Sequence, residues 1–194
     1  MSKKTERTFV NEYNSLLSLP PIMPPFISPF PVDLPNGGVV NLATIEACIN
    51  SNCDIASLSA VINWSASFFP PSGVSTSTIL NNPGYANVTF EFLRNGVVIY
   101  RVNQTIGQVG FPINQPTVLF TLAVPTYEIA SMLFLDTTPL CNNRHLKANT
   151  YLLRANNITL VPPAFTAGGA ATTAQVGAVT FLVNIKPNLL GSER

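Results

Sequence analysis

The chain has 194 residues, of which 46% are apolar and only 10% charged, and its formal net charge is +1. That much apolar material is ample for one core, while nucleic acid and anionic membrane are excluded as partners because both require clustered Lys and Arg. The one basic group, Lys3, Lys4 and Arg7, reads as an exposed terminus, and no apolar run reaches the ~18 residues that span a bilayer.

Charge is also unevenly placed. None occurs between Asp54 and Glu91, between Arg101 and Glu128, or between Arg154 and Lys186. A monomer normally covers its surface with Lys and Glu, so exposed faces here carry Asn, Ser, Thr and Gln or lie against other chains.

The first 36 residues differ from the rest. Phe9, Val10, Tyr13, Leu16 and Leu17 recur at helical spacing after Thr5, a plausible N-cap, and Glu6, which predicts a short amphipathic helix. Pro20 and Pro21 end it, and LPPIMPPFISPFPVDLP follows. This stretch reads as an extended, polyproline-like arm. Its Ile22, Met23, Phe26, Ile27 and Phe30 are unsuited to a solvated linker and predict contact with another apolar surface. The N-terminus has no uninterrupted apolar h-region, which implies synthesis in a cytosol or a leader already removed.

From about residue 37 the period becomes two. Leu58, Ala60, Ile62, Trp64, Ala66 and Phe68 form one face of a long strand, with Ser59, Asn63, Ser65 and Ser67 on the other. Val88, Phe90 and Phe92 alternate next, and Val98, Tyr100 and Val102 follow across LRNG. A two-residue Asn95-Gly96 loop would set Ile99 opposite Phe92 and Arg101 opposite Phe90. A three-residue Arg94-Asn95-Gly96 loop pairs Phe92 with Val98, Phe90 with Tyr100 and Val88 with Val102, so burial favours a type I turn with Gly96 left-handed. Further strands are predicted at Val118 to Val124, Tyr151 to Leu160 and Val179 to Ile185, with no helix among them. The expected fold is all-β, a jelly-roll sandwich of about eight antiparallel strands over residues 37–188, preceded by a Pro-rich arm (1–36) and followed by a tail (189–194).

No motif supports catalysis. His145 is the single histidine, the nine carboxylates form no dyad, and no G-x-S-x-G, P-loop or G-x-G-x-x-G occurs. The chain is therefore expected to be no enzyme, with no cofactor and no metal. Cys48, Cys53 and Cys141 leave three readings open: inert buried thiols, one intrachain bridge with a free thiol, or cross-links between chains. A zinc site from these cysteines and His145 is disfavoured by the spacing. The N-x-S/T sequons at Asn63, Asn87, Asn103 and Asn157 are what a Ser/Thr/Asn-rich composition produces.

Asp136, Thr137, Thr138 and Pro139 end a strand, and Thr150-Tyr151-Leu152-Leu153-Arg154 opens the next. This pattern resembles jelly-roll domains of the tumour-necrosis-factor and complement-head type, which in bacteria occur on spore surfaces and in phage fibres. The intervening LCNNRHLKAN is longer than the usual loop and lacks its glycine. LPPIMPPFISPFP in turn resembles the leaders of exosporium and endospore-appendage proteins. The resemblance covers the arm and residues 86–185. It implies a non-enzymatic extracellular surface structure, most simply on a spore, whose subunits bind copies of themselves or other surface-layer proteins. No binding or catalytic residue carries over from it. The contacts are expected from Phe9, Val10, Tyr13, Leu16, Leu17, Ile22, Phe26, Ile27 and Phe30. The rival readings are a viral or phage capsid or fibre protein and a carbohydrate- or receptor-binding module.

Overall fold

The computed structural model describes residues 7–13, 31–48, 54–108, 124–137, 148–164 and 169–187. In chain order the elements are β1 (Arg7–Tyr13), β2 (Val32–Asp33), β3 (Val40–Cys48), β4 (Asp54–Phe69), α1 (Thr76–Asn81), β5 (Tyr85–Arg94), β6 (Val97–Gly107), β7 (Val124–Asp136), β8 (Ala148–Val161) and β9 (Ala171–Pro187). Sheet A has the order β1-β9-β4-β7, with β2 also on β9, and sheet B has the order β3-β8-β5-β6.

All pairings are antiparallel. β2 pairs with β9, β3 with β8, β4 with β7 and β5 with β6, a nested set that β9–β4 and β8–β5 pairing rolls into two facing sheets. This is the jelly-roll arrangement expected from the spacing of the strands.

The period-two face of β4 is buried throughout, from Leu58 to Phe68. Opposite it lie Val88, Phe90 and Phe92 of β5 and Tyr151, Leu153 and Ala155 of β8, all buried in the same cluster. Trp64 meets Phe90 edge to face at 5.8 Å, and Phe92 stacks on Phe181 at 5.4 Å, so aromatic contacts join the sheets. Two apparent breaks in period are bulges. Ala155 and Ile158 are three apart yet both buried, because Asn157 takes φ 48° between them. Val176 and Val179 are likewise both buried, with β9 shifting register against β4 at Asn63/Trp64.

The expected N-terminal helix is instead strand β1. Phe9 lies opposite Val183, Val10 opposite Leu182 and Tyr13 opposite Val179. Helical spacing yielded to the edge that β9 offers, and Thr8, Phe9, Val10 and Tyr13 are all strand-favouring residues. Sheet A therefore takes two strands from ahead of residue 37. Leu16, Leu17, Ile22, Met23, Phe26, Ile27 and Phe30 lie outside the described residues, as does the predicted strand at Val118, Phe120 and Leu122.

The hairpin also differs from expectation. Asn95 (φ 50°) and Gly96 (φ 83°) are both left-handed, the signature of a two-residue type I′ turn. Leu93 pairs with Val98 but Phe92 with Tyr100, so Ile99 is an extra residue on β6. That bulge restores the alternation. Phe90 pairs with Val102, and Arg101 falls opposite Glu91 rather than Phe90. The tight turn and the bulge together satisfy burial without a third loop residue. Gly96 is left-handed as expected.

Helix α1 was not anticipated either. Its six residues are too short to show a period, but Ser75 caps it by accepting from the Thr78 N–H at 3.3 Å, and Ile79 is buried beneath it. No helix among the described residues is long and apolar enough to cross a membrane.

Candidate functional site

β1 and β2 run antiparallel to the same strand. Tyr13 stands opposite Val179 and Val32 opposite Val176. Three steps of ~3.3 Å along β9 separate these positions, so Tyr13 and Val32 meet β9 about 10 Å apart.

Of the other residues singled out from sequence, Cys48 ends β3 opposite Ala148. Cys53, Cys141 and His145 lie outside the described residues, so the cysteine readings stay open. Among the described residues no group of three His, Cys, Asp or Glu side chains could hold a metal ion.

The sequence reading missed the outer face of sheet A. β7 is an end strand, and on its outer side Tyr127 is 75% exposed, Ile129 61%, Leu133 71% and Leu135 50%. Beside them β4 presents Ser57, Ser59, exposed Val61, Asn63 and Ser65 in register. These outer positions carry no charge. A signal was present: Met132-Leu133-Phe134-Leu135 is apolar on both strand faces, whereas a sheet with one solvated face needs only one.

The charged groups in the interior are paired. Arg94 Nη1 reaches both oxygens of Asp136 at 2.8 and 2.9 Å, and Tyr151 donates from its hydroxyl to Asp136 Oδ2 at 3.0 Å. Burial, followed by the Asp136 charge, pushes the Tyr151 phenol well above its ordinary range. Glu91 Oε2 accepts from Arg154 at 2.7 and 2.8 Å. Both sets satisfy one another and leave no group free for a nucleophilic role, so they read as clamps.

Two sequons have a structural explanation. Asn87 stands opposite Thr105, and Thr89 opposite Asn103. Thr89 donates to Asn103 Oδ1 at 2.8 Å and Thr105 to Asn87 Oδ1 at 3.4 Å. Asn-x-Thr on two paired strands gives reciprocal cross-strand contacts.

No protein-family model and no curated protein matches the chain. Among solved structures it is similar to the insecticidal delta-endotoxin Cry8Ea1 from Bacillus thuringiensis, with 12% identity and a TM-score of 0.34 over 78% of this chain and 19% of that one. It is also similar to a chain of the T13 IBDV viral particle, with 8% identity and a TM-score of 0.25 over 97% of this chain and 41% of that one. The chain thus spans well under half the length of either.

Proposed function

We propose that the chain is a non-catalytic structural subunit that associates with copies of itself into a filament, appendage or lattice at an extracellular, most simply spore, surface. The observation that carries this reading is the uncharged apolar stripe on β7, from Tyr127 to Leu135. Eight steps of ~3.4 Å make it about 27 Å long. Exposed apolar side chains grouped in this way, with Ser131 alone between the two pairs, mark a contact with another chain. Burying side chains of this size contributes roughly 1.5–3 kcal/mol each. The Pro-rich segment from residue 14 to 31, also without charge, supplies a second adhesive surface. The spore-surface setting rests on the sequence resemblance.

Negative-stain microscopy of the recombinant chain tests this. Ordered assemblies are expected from the native chain. They should be lost in the Leu133→Lys, Leu135→Lys double variant with its circular dichroism unchanged. A native chain that stays monomeric, or a variant that assembles normally, would overturn the reading.

A further inference from the structure

Where β9 shifts register against β4, Asn63 faces Ala178 and Trp64 faces Val176, so Gly177 is an extra residue. A cleft of about 540 Å³ opens there, lined among others by Asn63, Ser65, Tyr127, Glu128, Gln175 and Gly177. Gly177 is not at a positive φ, and a Cβ placed on it would come no closer than 3.8 Å to the Asn63 carbonyl oxygen. The backbone therefore does not demand glycine here. Its missing side chain leaves the cleft open.

We propose that this cleft binds a neutral sugar, with the face of the Tyr127 ring as its platform. The lining chemistry selects the class. No Lys or Arg lines the cleft, which disfavours phosphates and acidic sugars, and one carboxylate is too few for a cation. Asn63 and Gln175 are carboxamides, each both donor and acceptor, and Ser65 adds a hydroxyl. That mixture matches vicinal hydroxyls, which also donate and accept. The aromatic face carries negative charge density and suits the C–H groups on one face of a pyranose. The volume lies within the ~300–1,000 Å³ common for small-molecule sites. Tyr127 also ends the β7 stripe, so a sugar bound here would compete with association at that end of the assembly surface.

Trp64, the chain's only tryptophan, also lines the cleft but is buried against Phe90, so binding is read by titration calorimetry alongside its fluorescence. The full chain is titrated with glucose, galactose, mannose, N-acetylglucosamine and their disaccharides. Saturable binding in the millimolar range is expected for at least one. Affinity should fall tenfold or more in Tyr127→Ala and in Gly177→Leu, and persist in Tyr127→Phe. The Leu133→Lys, Leu135→Lys variant should bind at least as well as the native chain, since it keeps the cleft and loses the competing contact between subunits. No saturable response to any sugar, or a response unchanged in both cleft variants, overturns the proposal. So does a response to a synthetic peptide of residues 18–33 with none to sugars, which would assign the cleft to the chain's own Pro-rich segment.

Discussion

Arg94 sets its Nη1 against both carboxylate oxygens of Asp136 and so ties β5 of sheet B to β7 of sheet A. The Tyr151 hydroxyl completes the group from β8. Asp136 is almost fully buried. Removing one member of a buried ion pair leaves the other uncompensated, at a cost of about 3–5 kcal/mol. Asp136→Ala should therefore lose about that much stability by urea titration. Tyr151→Phe removes one hydrogen bond to a charged group and should lose roughly 1.5–3 kcal/mol.

The same phenol predicts a pH dependence. Burial and the neighbouring Asp136 charge raise its folded pKa above the ordinary tyrosine value of about 10. A raised folded pKa gives stability that is complete below the unfolded value and is lost as pH rises above it. Melting temperature should thus decline above about pH 10, more steeply in the native chain than in Tyr151→Phe. Equal declines in the two proteins would remove Tyr151 from the cause.

At the β5–β6 turn, Asn95 does more than tolerate a left-handed backbone. Its side chain accepts from the Thr150 N–H at 2.9 Å and donates to Asn149 Oδ1 at 3.0 Å, anchoring the hairpin to the start of β8. Gly96→Val should cost about 1–2 kcal/mol through left-handed strain alone. Asn95→Gly keeps the turn and loses the anchors, so it should also destabilise. A neutral Asn95→Gly would show that the anchors contribute nothing.

Much of the fold could be read from the sequence, because alternation along β4, β5, β8 and β9 is imposed by a core that needs one apolar side per strand. The bulges at Ile99 and Asn157 escaped because one extra residue is invisible to a periodic template. β1 escaped for a different reason: its apolar residues fit a helix face as well as a strand, and only the free edge of β9 decides between them. The structure pairs the backbone of Phe9, Val10 and Tyr13 with β9. The β7 stripe and the cleft were hidden because each joins residues from separated strands, and the cleft depends on a register shift that no local pattern reveals.

The split first strand alters what truncation should do. With the whole arm free, removing residues 1–36 would leave a domain with near-native melting behaviour. β1 instead covers the edge of β9 from Val179 to Ile185 and β2 covers Val176 and Gln175. An uncovered edge loses its backbone hydrogen bonds and presents a template to other chains. Buried backbone groups left without partners cost about 1–3 kcal/mol each, less wherever water reaches them. Deleting residues 1–13 should therefore lower the melting temperature. Amide exchange should accelerate at alternate positions between Val179 and Ile185, because only every second β9 amide points toward β1. Exchange along β4 and β8 should change little, since their partners remain. A synthetic peptide of residues 5–15 should restore protection in trans. Unchanged exchange in the truncated chain would show that β1 does not hold this edge.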